Sequence, residues 1–411
     1  MQHQSTDQSA ASKLSKPEEN HSVHDISFGL LMLMALACGI FVANVYYNQP
    51  ILELLLRAYP GAPGTVGLIP TATQLGFACG LFLLIPLGDR MDRRKLILGQ
   101  AALLCLALTF LASAPNAWCA LIASVAVGSM GSVAQQIVPF AAALAAPNRR
   151  GQVVGTVMSG VLCGILLGRA VGGFAGAHWG WRTTFGLGAA LSALVWVPLW
   201  VWLPSSRPDT RDSYAALMRS VIVLWRDEPQ LRRATYIQAA LFGSFIGLWT
   251  ILSLHMYEAL GLGAEAAGLM GVVGTVGILM APLAGRIADR HGPYVVIGLG
   301  CLIMALSYVL MGVWDSLTGL IVGVVLLDLG EQSALISNQY VVYALQPEAR
   351  NRLNTLFMSG MFVGGGVESW AASLAWQIGG WSAVCALGGL FALLGLAIHS
   401  SGRLSKLLNV H

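Results

Sequence analysis

The chain has 411 residues, 56% of them hydrophobic and only 10% charged, with a mean hydropathy of +0.69. Soluble domains carry about a quarter charged residues, and disordered chains pair low hydrophobicity with high net charge, so the composition excludes both. The formal net charge of +4 says little by itself; the positions of the charges say more.

A helix needs roughly 20 apolar residues to cross about 30 Å of hydrocarbon. Twelve such stretches follow one another, numbered segments 1 to 12: 26–47, 65–88, 95–114, 118–144, 153–176, 183–203, 234–258, 266–288, 294–314, 317–344, 354–377 and 381–400. Residues 1–25 are polar, and the apolar stretch after them is too long for a cleavable signal and lacks a small-residue cleavage site. The polar segment 204–233 divides the chain into two sets of six. The expected fold is therefore an all-α integral membrane protein of twelve transmembrane helices in two six-helix halves. Its domains would be a tail at 1–25, bundles at 26–203 and 234–400, a central loop at 204–233 and a tail at 401–411.

All but three of the 23 lysines and arginines fall on one side of this arrangement, among them Lys13, Arg90, Arg93, Arg94, Arg149, Arg219, Arg290, Arg350 and Arg403. The exceptions are Arg57, Arg182 and Arg169, the last inside a span. Cytoplasmic loops carry the excess of Lys and Arg, which predicts cytoplasmic termini and a cytoplasmic central loop. The seven cysteines all fall in apolar stretches without metal-ligand spacing and read as buried small hydrophobes. No nucleotide, metallohydrolase or nucleophile-elbow motif is present. Enzyme chemistry has no visible carrier, and no cofactor or metal is expected.

The loop after segment 2 reads Ile85-Pro-Leu-Gly-Asp89-Arg90-Met-Asp92-Arg93-Arg94-Lys95; the loop after segment 8 reads Gly285-Arg-Ile-Ala-Asp289-Arg290-His-Gly292-Pro293. A repeat at matching topological positions marks a two-half transporter with its substrate site near midplane. Both loops resemble the signature loop of the major facilitator superfamily, roughly G-x-L-a-D-R-x-G-R-R/K. Ile85 and Asp92 stand in place of its glycines in the first copy, and Pro293 in place of a basic residue in the second. Segment 5 carries Gly164-Ile-Leu-Leu-Gly168-Arg169-Ala-Val-Gly172-Gly173, similar to the G-x-x-x-G-P-x-x-G-G of the family's exporters, with Arg169 replacing proline. The resemblance covers residues 26–400 and points to the bacterial twelve-helix, drug:proton antiporter-like branch of the inner membrane. It implies a conformational latch at Asp89, Arg90, Arg93 and Arg94 and at Asp289 and Arg290; anchoring of the loops to headgroups is the alternative. Gly164, Gly168, Gly172 and Gly173 form the antiport-like motif and also permit close helix approach.

Charged and polar side chains inside the spans are the candidate pathway residues. At helical spacing Asn44, Tyr47 and Asn48 share a face that is expected to line a cavity, whereas Tyr46 reads as an interfacial anchor. Gln135 and Gln136 of segment 4 either line the route or bond neighbouring helices. That segment lacks the arginine common in proton-coupled exporters, a role Arg169 is placed to take over. Phe242, Phe245 and Trp249 of segment 7 read as a packing stripe, and His255 as a solvated histidine. Asp328, Glu331 and Gln332 of segment 10 crowd one face, fit either to bind a proton or a cationic substrate or to form a structural pair hydrogen-bonded across helices. Glu368 follows Gly364-Gly365-Gly366 and is either a functional acid or a packing oddity.

These features predict a secondary transporter working by alternating access. It would export small organic or drug-like molecules in exchange for protons, with lipids as its other partners, no nucleic acid, and a monomeric state. Uptake of a sugar or organic anion by symport or facilitated diffusion is the first alternative. A membrane receptor or scaffold that has lost transport is the second.

Overall fold

The computed structural model describes residues 26–206, 213–279, 286–287, 290–346 and 349–408, and every regular element among them is a helix. Among the described residues ten helices are long and apolar enough to cross a membrane, and the apolar Ala264–Gly274 is shorter. Segments 1, 3, 5, 6, 7, 9 and 10 appear as Phe28–Tyr46, Arg93–Ala112, Arg150–Trp179, Trp181–Trp202, Pro229–Leu260, Pro293–Val313 and Leu317–Tyr343. Side-chain caps set the starts of segments 1, 3, 4 and 10. The side chains of Ser27, Asp92, Asn116 and Ser316 each accept a hydrogen bond from a backbone N–H of the first turn that has no partner within its own helix.

Several boundaries differ from the sequence expectation. Segment 2 begins earlier, as Pro63–Gly67 and Ile69–Leu84, and ends in a 3-10 turn at Pro86–Asp89. Segment 4 is two helices, Ala117–Gly131 and Ala134–Leu144. Segment 8 is Ala264–Leu279, and most of its remaining expected length lies outside the described residues. Segments 11 and 12 lie in one stretch, Arg350–Leu408, broken at Gly379 and Gly380, whose φ of 58° and ψ of −146° suit glycine. The central polar segment is not all loop. It contains the helix Tyr214–Asp227, capped by Ser213, with Val221 and Leu224 buried against Leu353 and Phe357 of segment 11.

Within the first set, segment 1 packs chiefly on segment 5 and segment 2 on segment 4. Glycines make both approaches close: a Cβ on Gly164 would lie 2.1 Å from the Gly39 carbonyl oxygen, and one on Gly128 2.1 Å from that of Thr73. The two sets meet along two seams. Segment 2 lies on segment 11, with the rings of Phe77 and Phe362 4.3 Å apart and hydrogen bonds from Thr71 to Ser369 (3.2 Å) and from Ser373 to the Gly67 carbonyl (3.1 Å). Segment 5 lies on segment 8, with Gly173 against Ala264 and Gly268. At the Gln49 end, Ser253 donates to the Gln49 carbonyl across the sets at 3.0 Å. At the basic end a cavity of about 190 Å³ separates them, lined by Asp89, Arg93 and Gln135 on one side and Asn351, Arg352 and Asn354 on the other.

Candidate functional site

The site is built around Arg169. The glycine face of segment 5 (Gly164, Gly168 and Gly172) lies against Gly39, Ala43 and Tyr47 of segment 1, while Gly173 lies against segment 8. Residue 169, one position on from Gly168, is thereby aimed between segments 1, 7 and 8. Its side chain is 1% exposed. The Nε donates to Oε1 of Gln49 at 2.8 Å. The guanidinium carbon sits 4.1 Å from the Trp249 ring centre, 4.7 Å from that of Tyr46 and 5.8 Å from that of Phe245. Cation–π contacts of this kind contribute about 2 kcal/mol when desolvated, which offsets part of what it costs to bury the charge.

Segment 8 brings the opposite charge alongside. A Cβ on Gly271 would lie 3.0 Å from Arg169 Cβ, and one on Gly274 would lie 3.0 Å from Oδ2 of Asp328. The bare glycines thus seat an arginine of the first set and a carboxylate of the second within one turn of the same helix. Both side chains are buried, and no ion pair joins them among the described residues. Arg169 Nη2, Asp328 Oδ2, Trp249 Nε1 and Gln49 Nε2 are buried atoms without a hydrogen-bond partner. A buried charge left unpaired is strongly destabilising. The arrangement is therefore one that a polar ligand satisfies: donors on the Arg169 side, where aromatic rings surround the guanidinium, and an acceptor on the Asp328 side.

Glu331 lies one turn further along segment 10, also 1% exposed, and its Oε1 accepts from Gln238 Nε2 at 2.7 Å; Gln238 Oε1 in turn accepts from Asn338 Nδ2 at 3.0 Å. Glu368 is seated on segment 7, where a Cβ on Gly247 would meet its Cγ at 2.7 Å. It is buried inside the second set rather than along the line from Arg169 to Asp328. Gln332 is half-buried.

The expected cavity face of segment 1 does not form as predicted. Its helix ends at Tyr46 and the chain turns through Tyr47–Pro50, so the 3.6-residue phase breaks where it was being counted. Asn44 donates to Ser192 of segment 6 at 3.2 Å, and Tyr47 packs on Gly172 and Gly188, both inside the first set. Asn48 points the other way and donates to Thr73 of segment 2 at 2.8 Å. Tyr46, expected at the membrane interface, is buried over Arg169. Gln136 donates to the Leu84 carbonyl at 2.6 Å and holds the end of segment 2, while Gln135 lines the basic-end cavity.

In the first signature loop Arg93 pairs with Asp89 at 3.2 Å and donates to the Gly88 carbonyl, and Arg94 donates to the Trp200 carbonyl at 2.6 Å. Asp92, a departure from the family pattern, caps segment 3 and accepts from the backbone of Ser206. Arg90 and Arg290 are exposed, and Asp289 lies outside the described residues. His255 is not solvated: it is 2% exposed, stacked on Trp381 at 3.8 Å, with Asp315 3.1 Å away. Cys79 and Cys163 are exposed rather than buried. Gln49, Tyr46, Phe245, Trp249 and Gln238 complete the site and were not among the residues the sequence singles out for it. An aromatic stripe at helical spacing looks the same whether it packs a core or cradles a cation.

This arrangement of helices and charges has known relatives. The family model of the Major Facilitator Superfamily matches residues 31–277 and again 234–402. The chain is 38% identical over 379 residues to an uncharacterized transporter, YgaY, of Escherichia coli O157:H7, covering 91% of this chain and 96% of that one. It is 24% identical over 374 residues to a protein of Helicobacter pylori (strain P12) named a probable sugar efflux transporter, covering 90% and 94%. Among solved structures it resembles a bacterial homolog of the human lysosomal transporter Spinster in an inward-facing conformation. The TM-score is 0.72 and the identity 14%, over 90% of this chain and 95% of that one. A D-xylose–proton symporter gives a TM-score of 0.69 at 18% identity, over 90% and 97%. The chain belongs to the Major Facilitator Superfamily and is a multi-pass membrane transporter.

Proposed function

We propose that the protein is a secondary transporter working by alternating access, which exports small organic molecules across the bacterial inner membrane in exchange for protons. The charge distribution supports twelve spans with the basic end in the cytoplasm. The observation that carries the reading is the pair of buried, complementary, mutually unpaired groups Arg169 and Asp328, one from each set. A substrate held between them touches both sets at once, so rocking one set against the other changes which side of the membrane it faces. Protonation of Asp328 removes the charge that Arg169 faces and competes with polar groups of the substrate for the same carboxyl. The glycine motif of segment 5 and the efflux name of the Helicobacter pylori relative support export, with sugars among the compounds to try. The loop pairing Asp89 with Arg93, at the wall of the basic-end cavity, serves as the latch that holds that end when it closes. The unpaired donor on Arg169 favours uptake of an organic anion as the second reading.

The test is transport of a compound panel by proteoliposomes under an imposed pH gradient. Export by antiport predicts that protons leave the compartment the substrate enters; symport predicts that both enter together. Proton-driven transport that survives Asp328→Asn combined with Glu331→Gln contradicts the assignment of the proton to these acids.

A further inference from the structure

Glu331 is not needed to seat a ligand between Arg169 and Asp328, yet it is among the most buried ionisable groups in the chain. Its surroundings form a line. Oε1 is held by Gln238 of segment 7, and Gln238 is held by Asn338, two turns along segment 10 toward the basic end. Asn338 forms the inner wall of a separate crevice between segments 7, 9 and 10, of about 20 Å³, whose other lining residues include Gln230, Arg233, Tyr294 and Ile297. About 10–15 Å³ suffices for one water molecule. Gln230 is exposed and Arg233 half-buried, so the crevice runs from solvent at the basic end to a buried amide. Among the described residues none lines both this crevice and the larger cavity between the sets.

From these observations we infer that Glu331 is a proton-binding site of its own, filled from the basic end through the crevice of segments 7, 9 and 10 rather than through the cleft between the two sets. The inference deepens the transport reading by naming where the exchanged proton enters. The amides of Gln238 and Asn338 do not carry the proton. They orient the carboxyl while their bonds are closed; when the Asn338–Gln238 bond opens, water from the crevice reaches the carboxyl and the proton is taken up at Oε2, the oxygen without a partner. Asp328 lies three residues away on the same helix face, so the charge state of Glu331 bears on the carboxyl opposite Arg169. The ionisable groups facing this route are Asp328 on segment 10, the Cys301 thiol of segment 9 within electrostatic reach of Glu331, and Arg233, Tyr294 and His399 around its mouth. Arg233 is tied by hydrogen bonds to the carbonyls of Ile398 and His399, which holds the mouth in place.

The test needs no transported substrate. Purified full-length protein in detergent is mixed rapidly with a weakly buffered solution of the pH indicator pyranine, and both the number of protons taken up and the rate are read. Glu331→Gln is expected to take up one proton fewer per chain than the unaltered protein. Asn338→Leu is expected to take up the same number about tenfold more slowly, and Asn338→Ser, which keeps a polar wall, to stay near the original rate. Size-exclusion elution and the helical circular dichroism of each variant establish that it is folded. An undiminished proton count in Glu331→Gln overturns the inference. So does an unchanged rate in Asn338→Leu, or slowing caused instead by Gln135→Leu, whose residue lines the cleft between the sets. Failure to find any transported compound would count against the transport reading and leaves these proton counts standing on their own.

Discussion

Arg169 joins more of the molecule than any other side chain in the site, bonding to Gln49, stacking on Tyr46 and Trp249 and facing Asp328. Removing it alone leaves a buried acid facing unmatched space. Arg169→Gln loses the charged hydrogen bond to Gln49 and the contacts with the Trp249 and Tyr46 rings and is therefore expected to lower stability by about 2–4 kcal/mol; Arg169→Gln with Asp328→Asn, which also removes the facing charge, should recover part of that loss, as a double-mutant cycle of thermal unfolding in detergent would show. Arg169→Lys keeps the charge but not the planar group that bonds Gln49 while lying over two rings. It should fold and transport at least about tenfold more slowly; transport at the original rate would show that only the charge matters. The charged residues Arg169, Asp328, Glu331 and Glu368 were legible in the sequence because a charge in an apolar run is conspicuous. Their neutral partners were not. Gln49 lies just past a helix end, where periodicity stops, and Trp249 belongs to a stripe that reads as packing. Asn44 shows the converse error, a polar residue at a plausible phase whose hydrogen bond goes to Ser192 inside its own set.

At the level of helices, the glycine motif of segment 5 serves two surfaces. Gly164, Gly168 and Gly172 set how closely segment 5 approaches segment 1, an approach internal to one set, whereas Gly173 meets Ala264 and Gly268 across the seam. The same substitution should thus have different consequences. Gly164→Ala places a methyl against the backbone of Gly39 and should destabilise the folded protein by about 1–3 kcal/mol, visible in thermal unfolding. Gly173→Ala meets the Ala264 carbonyl instead. It should wedge the seam open with less loss of stability, raising the reactivity of Ala264→Cys toward a water-soluble maleimide; unchanged reactivity would mean that the seam is not held closed by that contact. Segment existence was legible from hydropathy. The breaks were less so, since the turn at Gly379–Gly380 and the split of segment 4 depend on local backbone geometry that a twenty-residue apolar window averages away. The helix Tyr214–Asp227 was hidden because, at 14 residues with Arg219 and Arg226 among them, it is too short to register in a twenty-residue apolar window, and only Val221 and Leu224 of it are buried.

For the molecule as a whole, the two ends differ. At the Gln49 end the sets are joined by Ser253 to Gln49, Ser373 to Gly67, and Arg57 over the Tyr257 ring at 4.3 Å; at the basic end they part around a cavity. The charge asymmetry that predicts orientation was visible in the sequence, but which residues meet across the seams was not, since each seam joins positions some 90 to 310 apart in the chain by small residues with no signature of their own. Alternating access requires these two ends to exchange roles. The most direct measurement is a pair of spin-label distances in a chain whose native cysteines are replaced. One joins exposed Ala58→Cys and Ala259→Cys at the Gln49 end; the other joins exposed Met91→Cys and Ala344→Cys at the basic end. Between pH values on either side of the proton-uptake transition, the account predicts that one distance lengthens as the other shortens, and that Asp328→Asn with Glu331→Gln abolishes the response. Two distances that stay fixed, or that lengthen together, would contradict it.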